Sequence, residues 1–288
     1  MRKDCAKVGL CVWICLGSAS ASAGSVEPLY AFENINRSLL EIDPVTGFVR
    51  TLGETGLFAS DGVTASHVTG ELYTIGFELG GPGNALYTLD RETGAATLVG
   101  ALGTPVGLDA VTVGDDGKIY AFQNTTLAGG AMGDIYAIDT NTGAASLVGN
   151  LGSGAFFPSA AALDPQTGDI WITSHLSGET WAFDPATGQS EYLFDLRASA
   201  SAFAGITFDA DGRLFGVLQS DPNELYEIDR DTLVTTLIRS LGVRQVSSLT
   251  TTIPAPSSAI VVLGAGAAGA GRRWRSRVGG GRCRARAS

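Results

Sequence analysis

The chain is poor in groups that do chemistry. It has two histidines, His67 and His175, each with a glutamate four residues on, Glu71 and Glu179. A second His or Cys that would complete a transition-metal site is absent from both neighbourhoods. Hydrolysis of a glycosidic bond would need two or three carboxyl groups converging on one point. Asp61 and Asp109 stand at matched positions before two apolar runs, and Glu33, Glu78, Gln123 and Gln219 follow four other matched runs. The corresponding stretch further on reads Phe157-Pro158-Ser159-Ala160, without an acid. These acids do not recur as a set, so the expectation is a non-catalytic chain. Glu33, Asp61, Glu78, Asp109, Gln123, His175 and Gln219 would then line a ligand-binding rim.

Other motifs are weaker. The Gly-rich stretches 80–83 and 129–133 open no helix and hold no Lys, which excludes a phosphate cradle. Asp115 with Asp116, and Asp209 with Asp211, could ligate calcium, but both pairs match ordinary hairpin turns. The expectation is therefore no cofactor, with calcium as the one candidate ion. Residues 24–253 hold nine of the 19 Lys and Arg and 28 of the 29 Asp and Glu, a balance of −19. Such a surface repels nucleic acid and anionic polymers over a Debye length, and favours cations or merely solubility.

The elements that must position these groups are short strands. One phrase recurs five times: an apolar run ending in Asp, with Thr-Gly three residues on. Its aspartates are Asp43, Asp90, Asp139, Asp184 and Asp229, spaced 47, 49, 45 and 45 residues apart, and in the fifth copy Leu233 replaces the Gly. Each unit contains four β-branched or aromatic runs divided by turn residues, as in Asp109–Val113, Lys118–Phe122, Asp134–Ile138 and Ala144–Val148. Large residues alternate in the third runs (Tyr87 with Leu89, Tyr136 with Ile138, Trp181 with Phe183, Tyr226 with Ile228), the period of a sheet with one packed face.

A period of this length built from short strands predicts an all-β, five-bladed β-propeller of four-stranded blades. The first unit lacks its first strand and opens at Leu29-Tyr30-Ala31-Phe32. Val246 to Ile253 reads as a first strand with nothing after it, so a C-terminal strand is expected to complete the first blade. From Pro28 to Ile253 the pattern resembles secreted bacterial β-propellers with Asp-x-x-Thr-Gly turns.

Both ends differ from this domain. Residues 1–23 carry Arg2, Lys3 and Lys7, an apolar stretch from Val8 to Gly17 and a closing Ala21-Ser22-Ala23, the layout of a secretory signal peptide. The four cysteines, Cys5, Cys11, Cys15 and Cys283, all lie outside residues 24–253, so that domain has no disulfide. Residues 254–277 comprise a hinge with Pro254 and Pro256, a short Ala- and Gly-rich apolar segment and the cluster Arg272, Arg273 and Arg275; residues 278–288 are a basic tail. This order resembles the PEP-CTERM sorting signal, with Pro254-Ala255-Pro256 where the family has Pro-Glu-Pro. The resemblance implies a transient inner-membrane anchor, processing by an exosortase-type enzyme, and a final address in the cell envelope or outside the cell. The leading expectation is thus an exported binding or structural propeller whose partner is an extracellular polysaccharide or envelope protein. The alternative is a polysaccharide-acting hydrolase or lyase that uses carboxyl groups at the channel mouth. A third reading gives the propeller only bulk in the matrix.

Overall fold

The computed structural model describes residues 27–104, 107–124, 131–152, 157–174, 176–198 and 201–252. The signal peptide, the sorting segment with Pro254, Pro256, Arg272, Arg273 and Arg275, and His175 lie outside the described residues.

The strands follow the repeat. Blade one contributes β1 (Leu29–Glu33), β2 (Ser38–Ile42) and β3 (Val49–Glu54). Blade two is β4 (Ala59–Ala65), β5 (Leu72–Phe77), β6 (Ala85–Leu89) and β7 (Ala96–Ala101). Blade three is β8 (Leu108–Val113), β9 (Ile119–Gln123), β10 (Asp134–Ile138) and β11 (Ala145–Asn150). Blade four is β12 (Pro158–Leu163), β13 (Ile170–Ser174), β14 (Glu179–Asp184) and β15 (Gln189–Asp195). A two-residue ribbon, β16 (Arg197–Ala198), precedes blade five: β17 (Ser201–Phe208), β18 (Leu214–Leu218), β19 (Glu224–Ile228) and β20 (Thr235–Ser240). The last strand, β21 (Thr250–Thr251), lies beside β1 in the order β21-β1-β2-β3. The chain is therefore a five-bladed, all-β propeller. One departure from the expected four strands is β16, which extends the fifth sheet by pairing Arg197 with Ala202 and Ala198 with Ser201.

Each blade is an antiparallel meander whose innermost strand carries a bulge near its start. Ser60 pairs with Gly76 and Gly62 with Ile75, which leaves Asp61 as the extra residue. The same shift singles out Asp109, Ser159 and Ala204. At the C-terminal strand, Tyr30 pairs with Thr250 and Glu33 bridges Val246, so Ser247 takes that place. The bulges sharpen strand twist near the axis. The residue after each bulge is small: Gly62, Ala110, Ala160, Gly205 and Ser248. A Cβ on Gly62 would fall 2.6 Å from Val111 Cγ1, and one on Gly205 would fall 2.8 Å from the Leu249 amide nitrogen. Five strands packed this closely leave a central cavity of about 10 Å³, room for no more than one water.

The core lies between blades. Tyr30, Leu39, Val63 and Leu72 join blades one and two, Tyr120, Ile172 and Phe183 join three and four, and Leu29 and Phe215 join five and one. Burying a side chain of this size stabilises by about 2–3 kcal/mol. The third-strand aromatics pack there, with Tyr87 and Tyr136 buried and Trp181 and Tyr226 partly so.

The Asp-x-x-Thr-Gly phrase closes the turn between third and outer strands. Asp90 Oδ1 accepts the amides of Glu92 (2.9 Å) and Thr93 (2.8 Å), and the Gly94 amide donates to the Asp90 carbonyl at 2.8 Å. Gly94 sits at φ +76°, which a side chain would disfavour. Leu233 holds the matched position at φ +58°, where its side chain packs on the Trp171 and Phe208 cluster.

Candidate ligand-binding face

Antiparallel pairing puts the starts of the innermost strands and the ends of the second strands on one face. The bulge residues ring the channel mouth there. Two of the five are acids, Asp61 and Asp109; the others are Ser159, Ala204 and Ser247.

Both aspartates are half-buried, and both carboxyls are pushed up to about 7. For Asp61 the cause is loss of hydration in the wall of the ring. For Asp109 the same effect leads and the nearby Asp61 charge adds to it, while a hydrogen bond donated by Asn124 Nδ2 to Asp109 Oδ2 opposes it. Among the described residues no hydrogen bond reaches the Asp61 carboxyl. Near neutral pH these groups are divided between acid and anion. Each can donate as well as accept, which suits hydroxyl-rich ligands.

The other expected rim residues divide by burial. Glu33 ends β1 and is 3% exposed; its Oε1 accepts the Ile35 amide at 2.9 Å and its Oε2 the Asn36 amide at 2.8 Å. Gln123 ends β9, fully buried, and its Oε1 accepts the Tyr136 hydroxyl at 3.3 Å. Glu33 and Gln123 therefore shape the loops instead of facing a ligand, because a strand's last residue is still enclosed by its neighbours. Glu78 and Gln219 are exposed beyond the ends of β5 and β18.

Between blades one and two the same face carries an aromatic platform that the sequence did not single out. The rings of Phe58 and Phe77 lie 5.3 Å apart, tilted by 39°, and the Arg37 guanidinium lies 4.7 Å from the Phe58 centroid. Nothing in the repeat marks these residues. Phe58 falls in the connection before β4, and Arg37 in the turn after β1.

The calcium candidates lie in turns joining first and second strands. The Asp116 carboxylate accepts the Lys118 amide (3.1 Å), Lys118 Nζ (2.7 Å) and the Tyr120 hydroxyl (3.0 Å). That of Asp209 accepts the amides of Asp211 (3.0 Å) and Arg213 (2.8 Å) and Arg213 Nε (2.7 Å). Both carboxylates are engaged in their own hairpins. Among the described residues no three His, Cys, Asp or Glu come together as a metal site.

Fold and face together define a closed propeller with a small polar mouth. The sequence matches no protein-family model and no curated protein. Among solved structures, one of a Bacteroides thetaiotaomicron VPI-5482 protein of unknown function superposes with a TM-score of 0.51 at 16% identity, over 75% of this chain and 58% of that one. The chain thus spans under two thirds of that protein. A nidogen/laminin complex (TM-score 0.48, 11% identity, 78% of this chain and 84% of that one) and a streptogramin B lyase (0.43, 18%, 73% and 64%) are also similar. At such identities the likeness is one of fold.

Proposed function

We propose that this chain is an exported, non-catalytic binding propeller of the cell envelope that holds extracellular polysaccharide across the face carrying Asp61, Asp109 and Phe58. The observation that carries this reading is an open mouth above a closed waist. Asp109 lines a central cavity of only about 10 Å³, and the Phe58–Phe77 pair lies on the same face between blades one and two, so a ligand would lie across the face instead of entering the ring. Acids occupy two of the five bulge positions, and the nearby Glu33 carboxylate is already held by its own turn. The charged start of the chain, its apolar stretch and the hinge-apolar-Arg tail support export and exosortase-type sorting. The test is retention of the full-length chain on immobilised polysaccharides, with and without calcium. Retention on at least one glycan is expected, and retention on none would overturn the reading.

A second reading, a polysaccharide hydrolase or lyase, is favoured by the burial of Asp61 and Asp109, which pushes both carboxyls up to about 7, where a general acid works well. Release of new reducing ends by the wild-type chain, abolished in Asp61→Asn, would favour it over binding alone.

A further inference from the structure

Among the described residues, Arg37 differs from every other cation. Five of the remaining eight Lys and Arg pair with a carboxylate, and three donate to backbone carbonyls. The Arg37 guanidinium has neither kind of partner and is held only against the Phe58 ring, 4.7 Å from its centroid. Its backbone is fixed with equal care. Arg37 sits at φ +55°, a conformation that L-residues other than Asn and Asp seldom take. Glu33 holds the turn before it through the Ile35 and Asn36 amides. The Arg37 carbonyl accepts both the Thr55 amide (2.9 Å) and the Thr55 hydroxyl (3.0 Å). A surface Arg with an oriented stem, a stacked head and a free donor fork is prearranged for a planar anion.

We propose that Arg37 and Phe58 recognise the carboxylate of an acidic sugar residue, a uronate unit of the glycan held across this face. The inference rests on the glycan-binding reading above and deepens it. Three features favour an acidic sugar. The guanidinium fork matches a carboxylate in two parallel hydrogen bonds. Beside it, Phe58 is 41% exposed and Ile35 53% exposed, apolar surface against which the C–H edges of a sugar ring can lie. Asp61 lies three residues beyond Phe58, about 10 Å along an extended chain, where a short oligosaccharide reaches it. Its carboxyl, half in the acid form near neutral pH, exchanges hydrogen bonds with hydroxyls and repels a uronate less than a full anion would.

The test is calorimetric titration of the full-length chain with a trigalacturonate and with its carboxyl-reduced, neutral counterpart. The wild-type chain binds the uronate at least about tenfold more tightly, the scale of a charge-assisted pair. Arg37→Gly suits the positive φ and removes the whole side chain, guanidinium included, so the preference is erased and the two trisaccharides bind with equal affinity. Phe58→Leu weakens both ligands, and provides a second reading if Arg37→Gly unfolds. Equal affinity for the two trisaccharides overturns the carboxylate assignment while glycan binding stands. Failure of both to bind, with a neutral polysaccharide retained in the earlier screen, likewise removes only the uronate. Failure of every glycan removes both proposals. Tight capture of a poly-aspartate peptide through Arg37 also overturns the assignment, in favour of a protein partner.

Discussion

Two kinds of aspartate meet opposite surroundings in this chain, and pH separates them. In the repeat turns, backbone amides hold the carboxyls of Asp43, Asp139 and Asp229 below the ordinary value of 3.8; in Asp90 the Thr93 amide leads, and in Asp184 the Thr187 hydroxyl leads. Their folded values are depressed, so what they contribute is present above pH 3.8 and is lost as pH falls through the folded values. Asp61 and Asp109 are shifted the other way, from 3.8 to about 7. Their contribution is complete below 3.8 and declines as pH rises from there to about 7. Together the two sets place the stability optimum in mildly acid solution, about pH 4–5. The melting temperature should therefore fall from pH 5 to pH 8 in calorimetry. The Asp61→Asn/Asp109→Asn variant should lose most of that decline and melt above the wild-type chain at pH 8. An equally steep decline in the variant would show that neither carboxyl carries the shift. The matched positions of Asp61 and Asp109 were legible in the sequence. Their titration was not, because it depends on the packing of five strands drawn from across the whole chain. Arg37 and Phe58 escaped for a related reason: they meet only when two blades close on each other.

At the scale of elements, the repeat phrase is half of an inter-blade joint. A Cβ on Gly53 would lie 2.0 Å from the Thr93 carbonyl oxygen, and one on Gly100 would lie 2.0 Å from that of Thr142. The outer strands of blades one and two thus receive the turn of the next blade on a bare backbone. The sequence carries a signal for this outside the Asp-x-x-Thr-Gly phrase. Leu52-Gly53, Val99-Gly100 and Val148-Gly149 recur at spacings of 47 and 49, the same as the aspartates. The close joint ends before those glycines do: a Cβ on Gly149 would lie 3.9 Å from the Gly188 carbonyl oxygen of the next turn. Arg239 takes the matched place in blade five, where its Nη1 lies 3.4 Å from the Thr46 carbonyl of blade one. Gly100→Ala must push backbone against backbone and should cost about 1–3 kcal/mol in urea unfolding. Gly149→Ala is the control: its added Cβ would find its nearest atom 3.6 Å away, at Ile135 Cδ1, and should change stability by less than about 0.5 kcal/mol. Equal losses would mean that the glycines act through chain flexibility and not through the joint. Strand positions were the most legible feature, since β-branched and aromatic runs between turn residues leave little choice. The two-residue ribbon at Arg197–Ala198 was not, because its pairing is too short to leave a pattern.

For the molecule as a whole, the two ends of the domain share one sheet. Thr250 and Thr251 pair with Tyr30 and Leu29, and Val246 and Leu249 are buried in one cluster with Leu29 and Phe215. The Ser248 and Thr250 hydroxyls accept the amides of Val63 and Ala65 at 3.1 and 3.2 Å, tying this segment to blade two. A chain that ends at Gln245 should lose its cooperative unfolding transition near the intact temperature and expose the edge of β1 to aggregation. A chain that ends at Thr252 should melt like the intact domain. Identical melting of both would place the stability of the ring elsewhere. The missing first strand and its counterpart at the other end were readable from the repeat count alone. What the closed ring holds was not, since a fold of this kind serves many ligands and the face is built from loops outside the repeat.

The proposed function requires that this face bind glycan without cleaving it. The most direct measurement incubates the full-length chain with neutral and uronate-bearing oligosaccharides and reads retention and reducing-end release on the same samples. Saturable retention is expected, strongest for uronate-bearing chains, with no new reducing ends. Cleavage of any bound oligosaccharide, or no retention across the whole set, would contradict it.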